Sequence, residues 1–139
     1  FERLWEAFGH GQPGKAASGR YEGDVAPLFF PEQGSANVAL ILAELSAAAQ
    51  SIDVAMFTLT HDALVNAVLE AHQRGCIVRV ITDNRQAHCK GADAQRLAAA
   101  GVAVRTDSSF YAMHHKFAIV DGRVVINGSF NWTVQAANG

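Results

Sequence analysis

Cysteine is scarce in this chain, and the little present is not arranged for chemistry. Cys76 and Cys89 are the two cysteines, 13 positions apart, with no C-x-x-C pair. The ligand spacing of a zinc site and that of a redox dithiol are therefore both absent. Cys76 follows Gly75 at the head of an apolar run and reads as a small buried residue. His88-Cys89 reads as a loop pair. Long hydrophobic runs are missing too. No stretch approaches the roughly 20 residues that span a bilayer, and no signal-peptide pattern opens the chain at Phe1. A charge imbalance is also lacking. The formal net charge is −2, so the molecule as a whole does not attract polyanions. Affinity for a nucleic acid must come from a local basic patch.

What is present suits one folded domain. The chain has 139 residues, 50% of them hydrophobic and 17% charged, which is enough for a sizeable core. Residues 1–8 (FERLWEAF) read as one or two amphipathic helical turns, with Phe1, Leu4, Trp5 and Phe8 on one face. Residues 9–23 are rich in Gly, Ser and Ala and read as a flexible linker. Residues 24–139 form the main domain.

Within that domain, apolar segments alternate between two periods. Val25 to Phe30 reads as a short strand ended by Pro31. Ser35 caps a helix over 36–50 with a stripe of Val38, Ile41, Leu42, Leu45 and Ala49. Ser51 to Leu59 is a strand with the imperfect alternation of a sheet covered on both faces. Asp62 opens a helix with Leu64, Val65, Val68 and Leu69 inward, stopped by Gly75. A strand over 76–82, a helix over 92–100 and a strand over 102–106 follow. This repetition predicts an α/β fold, with a mixed, largely parallel sheet flanked by helices on both faces.

The last segment carries the chemistry: YAMHHKFAIVDGRVVINGSFNWT, Tyr111 to Thr133. Lys116 to Val120 favours a strand. Asp121-Gly122 is a two-residue hairpin signal, and Arg123 to Ile126 is the returning strand. His114 and Lys116, two apart, share a face, while His115 and Phe117 point the other way. Asp121 falls on the opposite parity at the turn and is expected to fix the hairpin. Ser129 and Asn131 are good N-cap types for a short helix over 132–137. A helix start offers N–H groups to a phosphate.

These types suit phosphodiester cleavage. A neutral imidazole attacks phosphorus and forms a covalent phosphohistidine. A lysine steadies the transition-state oxygens. The leaving alkoxide needs an acid, worth roughly 10²–10⁴-fold, and the strand face offers one histidine only. Bland readings cover the other conspicuous residues. Trp132 reads as core packing, and His10, His61 and His72 as surface or capping residues. Arg85, His88, Lys90 and Arg105 border a cleft at the ends of parallel strands.

The pattern His114-x-Lys116-x4-Asp121-x6-Gly128-Ser129-x-Asn131 resembles the HKD motif of the phospholipase D superfamily. The surrounding residues are most similar to its single-motif members, the bacterial endonucleases and the cardiolipin hydrolase/Zucchini-type nucleases. The resemblance runs from about Val25 to Ala137. It implies the phospholipase D/nuclease fold, with His114 as nucleophile and Lys116 gripping the phosphate. Asp121 would complete the catalytic motif, and Gly128, Ser129 and Asn131 would line the phosphate pocket. It also implies a homodimer whose second His114 protonates the leaving group. No cofactor and no metal are implied. Relatives continue past the Gly-Ser-x-Asn turn with a glutamate-bearing segment, a strand and a closing helix, which residues 1–8 resemble. The chain order thus reads as rotated, by circular permutation, by a cut across tandem copies or by numbering that starts midway.

Three functions follow from the resemblance. The first is a metal-independent endonuclease cutting DNA or RNA, with single strands favoured. The second is a phospholipase D-type hydrolase of cardiolipin or another phospholipid. The third is an inactive phosphate-binding or structural domain.

Overall fold

A computed structural model describes residues 25–107 and 110–139. The expected helix over 1–8 and linker over 9–23 lie outside the described residues. The elements in order are α1 (Gly34–Ala47), β1 (Ser51–Met56), α2 (Asp62–Gln73) and β2 (Ile77–Thr82). A 3₁₀ turn (Gln86–His88), α3 (Ala94–Ala99) and β3 (Ala103–Thr106) come next. The chain then runs through β4 (Lys116–Val120), β5 (Val124–Asn127) and α4 (Val134–Asn138).

Among the described residues these strands form a five-stranded sheet in the order β3-β2-β1-β4-β5. β1, β2 and β3 run parallel, joined by helices, as strand–helix–strand repetition requires. β5 is antiparallel to β4 because a tight hairpin joins them, and β4 runs antiparallel to β1. The sheet is thus mixed, with its parallel half on one side of β1 and the hairpin on the other.

Register explains the core. Val78, Ile52 and Val120 form one cross-strand row, and Val80, Val54 and Ala118 the next. These face Ile41 and Leu45 of α1, Leu64, Val65 and Val68 of α2, Leu97 of α3 and Ala137 of α4 in a single cluster. The alternate positions on the sheet carry the Asp53–Arg79 ion pair at 2.6 Å. Ile77, Ile81 and Val125 on the same side are exposed. The second helical layer expected on that side is not among the described residues. No helix among them is long and apolar enough to cross a membrane.

Three local expectations are corrected. Residues 25–30 form no strand. Pro27 brings no N–H to a ladder, and the backbone finds side-chain partners instead. The Phe29 carbonyl accepts from Asn37 Nδ2 at 2.6 Å, and the Phe30 ring stacks on Phe130, centroids 3.8 Å apart. Ser35 is not the cap of α1. The helix begins at Gly34, with Gln33 in the cap position and no side-chain cap bond. It also ends at Ala47, so Ala48 is buried while Ala49 is exposed.

Gly34 is where α4 meets α1. A Cβ placed there would stand 1.6 Å from the Ala137 carbonyl oxygen. That neighbour is backbone and has little room to give. Gly34→Ala is expected to destabilise the fold by about 1–3 kcal/mol through overpacking. Denaturant unfolding checks this, and an unchanged midpoint would contradict the close approach.

Candidate active site

The site gathers at the carboxyl end of β1, where the parallel half of the sheet meets the hairpin. Ligands bind in such crevices because neighbouring loops diverge there. Lys116 is the first residue of β4 and pairs with Met56, the last of β1. It is buried, 8% exposed. Its Nζ donates to the His114 carbonyl at 3.0 Å. Burial holds its pKa below the ordinary 10.5, because desolvation disfavours the ammonium.

His114 precedes β4 and is exposed to solvent. Its ring lies 4.6 Å from the ring of Phe57, centroid to centroid. The Lys116 ammonium lies 5.0 Å from the same Phe57 ring, within cation–π range. Phe57 is itself pinned, its N–H donating to the His115 carbonyl at 2.8 Å. Imidazole and ammonium thus share one aromatic wall. His115 turns elsewhere, its ring edge-on to Phe117 at 5.9 Å.

The Gly-Ser-Phe-Asn turn reaches the same end of the sheet. β5 ends at Asn127, opposite Phe117, so Gly128 and Ser129 leave the sheet beside the start of β4. Both are exposed, and Asn131 is half-buried. The Asn131 Oδ1 is buried with no hydrogen-bond partner. Trp132 is 1% exposed. Its carbonyl accepts from Thr60 N–H at 2.8 Å.

That contact displaces the expected helix start. Trp132, drawn into the core beside Leu59 and Thr60, keeps the chain extended through Thr133, where φ is −129° and ψ 150°. Thr133 is therefore the cap, its Oγ1 accepting from Ala136 N–H at 3.0 Å. Ser129 and Asn131 cap nothing. The helix-terminus seat for phosphate expected from them is not formed, and they remain short polar groups on a turn.

Asp121 stands at the far end of β4, five residues from Lys116 and so roughly 16 Å along the strand. Its φ is 52°, as the turn requires. Its carboxylate accepts from the N–H groups of Ala49, Gln50 and Ser51 at 2.7–3.2 Å. The structure places Asp121, which the motif includes, away from the His114 end of the strand. It staples the hairpin to the loop between α1 and β1 and does not reach His114. These hydrogen bonds, that from Ser51 foremost, hold its carboxyl below the ordinary 3.8. A depressed folded-state pKa contributes stability that is complete above the unfolded value. That stability is lost as pH falls through the folded value. Asp121→Ala is therefore expected to lower Tm near neutral pH, with the gap from the native chain closing below pH about 3.8. Thermal melts at both pH values check it, and a gap of equal size in acid would contradict it.

Two residues near the site carry no motif signal. Phe57 reads in sequence as one more apolar strand residue. Asp83 is 1% exposed and follows β2. Its carboxylate accepts from Arg85 and Gln86 N–H at 3.0 Å and from Met113 N–H at 3.1 Å. It thereby fixes the residue before His114. Burial pushes its carboxyl up, but the N–H groups of Gln86, Met113 and Arg85 outweigh this, and its pKa lies below the ordinary value. A buried aspartate closing an apolar strand was the available clue. Of the expected cleft-border residues, Arg85 donates to the Phe110 carbonyl at 3.3 Å. Arg105 instead pairs with Ile81 on the uncovered side of the sheet. His61 occupies the cap position of α2 without a side-chain cap bond.

The fold and this grouping define an α/β domain with a histidine–lysine site at the open end of its parallel strands. The chain belongs to the phospholipase D-like family, since the family model described as "Cardiolipin synthase, PLD-like domain" matches residues 41–139. It is 51% identical over 92 residues to a mitochondrial cardiolipin hydrolase of Chlamydomonas reinhardtii, covering 66% of this chain and 41% of that protein. It is 50% identical over 106 residues to the one of Xenopus tropicalis, covering 76% and 50%. The chain thus spans about half the length, or less, of these curated relatives. Among solved structures it resembles Nuc from Salmonella typhimurium, a phospholipase D family member. The TM-score is 0.71 and the identity 35%, over 78% of this chain and 72% of that one.

Proposed function

We propose that this domain is a phospholipase D-family phosphodiesterase, acting as a metal-independent endonuclease on single-stranded DNA or RNA. The observation that carries the reading is the Phe57 ring, which both the His114 imidazole and the Lys116 ammonium approach at the end where Gly128, Ser129 and Asn131 emerge. A ring nitrogen of His114 attacks phosphorus, and the bond to the leaving oxygen breaks as the P–N bond forms. Lys116 uses one N–H on the His114 carbonyl, which leaves two for phosphate oxygens. Ser129 and Asn131 add short polar contacts. The alkoxide takes its proton from the partner subunit's His114 in a homodimer. That imidazole then removes a proton from the water that attacks phosphorus. The phosphomonoester departs, leaving the attacking His114 neutral and the partner's His114 protonated, each as it began.

The second reading, a phospholipase acting on cardiolipin, is favoured by the names of the relatives at 50% and 51% identity. Bond chemistry is the same for both. Assays run side by side on a single-stranded oligonucleotide and on cardiolipin vesicles separate them, each with and without excess EDTA. Cutting of the oligonucleotide that persists in chelator supports the first reading. Loss on chelation would reject the metal-free mechanism, because Lys116 and the turn then could not do the charge neutralisation given to metal ions elsewhere. Turnover confined to vesicles would favour the lipid.

A further inference from the structure

Phe110 and Tyr111 are the two most exposed large apolar side chains among the described residues, at 82% and 81%. They are neighbours in sequence and stand edge to face, ring centroids 5.9 Å apart. Adjacent aromatic side chains left in water mark a contact surface more often than an accident of packing. This pair is also held in place from both sides. The Arg85 guanidinium lies 5.7 Å from the Phe110 ring centroid and donates to the Phe110 carbonyl at 3.3 Å. At the other end, Met113 N–H is fixed by buried Asp83. Both anchors belong to the same short segment after β2, so the rings are presented from a common support.

Position gives the pair a meaning. Tyr111 precedes His114 by three residues, which span at most roughly 11 Å when extended. A strand whose phosphate is held at His114 is therefore within reach of these rings. We infer that Phe110 and Tyr111, backed by Arg85, form a stacking platform for a nucleobase beside the scissile phosphate. The inference rests on the nuclease reading and names how that site would grip a strand. Ring faces take any base, because every base has a π-face, and a guanidinium beside them suits the phosphate backbone. Such a local device is what a chain of net charge −2 needs to hold a polyanion.

Fluorescence anisotropy with the full chain carrying His114→Asn, which prevents cutting, tests the platform. The probes are a labelled single-stranded oligothymidylate and an abasic strand of equal length. The base-bearing strand is expected to bind at least roughly tenfold tighter. Adding Phe110→Leu with Tyr111→Leu keeps apolar area but removes the π-faces, and should bring that ratio close to one. Both positions are exposed, and circular dichroism confirms that the fold is kept. A ratio near one before the leucines are introduced, or one that they leave unchanged, would overturn the inference. So would weaker binding to cardiolipin vesicles in the double leucine variant with the base preference intact. Because binding is read without turnover, failure here differs from failure of the nuclease reading, which shows as no hydrolysis by the native chain.

Discussion

His114→Asn is expected to abolish phosphodiester hydrolysis, lowering kcat by at least about 10³-fold, since the nucleophile itself is removed. The fold should hardly notice. His114 is exposed, and what Lys116 takes from it is the backbone carbonyl, which asparagine retains. A Tm close to that of the native chain alongside lost turnover separates chemistry from folding. Retention of more than a few per cent of kcat would reject His114 as nucleophile. Adding free imidazole to a His114→Gly chain gives a complementary check, because an external ring partly replaces a missing nucleophile.

Lys116→Gln has the second-largest expected effect, a fall in kcat of roughly 10²–10³-fold, the magnitude of losing one preorganised transition-state donor. Its effect on stability should be small or even favourable, because the change removes a buried charge that burial disfavours. The pH dependence follows from the same burial. The folded-state pKa of Lys116 is below 10.5, so the ammonium is lost earlier than in a free side chain. The alkaline limb of kcat/KM is therefore expected to fall at a pH below 10.5, and Lys116→Gln should lack that limb. Between the two pKa values the unfolded chain holds more protons than the folded one, so this group's contribution to stability rises with pH across that window. An alkaline limb that survives in Lys116→Gln would assign it to another group.

Much of this arrangement was legible in the residues because it depends on local rules. Two-residue spacing put His114 and Lys116 together, and they do converge on one ring. Asp121-Gly122 announced a hairpin, and its parity argued for a scaffolding place, which the bonds to Ala49, Gln50 and Ser51 supply. What stayed illegible depends on contacts between distant segments. Thr133 caps the last helix because Trp132 is drawn against Leu59 and Thr60, which no propensity at Ser129 or Asn131 could reveal. Residues 25–30 looked like a strand by composition, yet they serve as a prop whose Phe30 stacks under Phe130. Phe57 and Asp83 matter for the same reason. One packs against both His114 and Lys116 and the other holds Met113, and neither belongs to a spacing pattern.

During turnover phosphorus is expected to become bonded to a nitrogen of His114. Rapid base quenching during turnover, followed by peptide mass spectrometry, tests it most directly, since a phosphoramidate survives alkali and is released by acid. The expected product is a phosphorylated peptide spanning His114, acid-labile and absent in His114→Asn. Hydrolysis that proceeds with no covalent adduct, or with the adduct on Ser129, would contradict it.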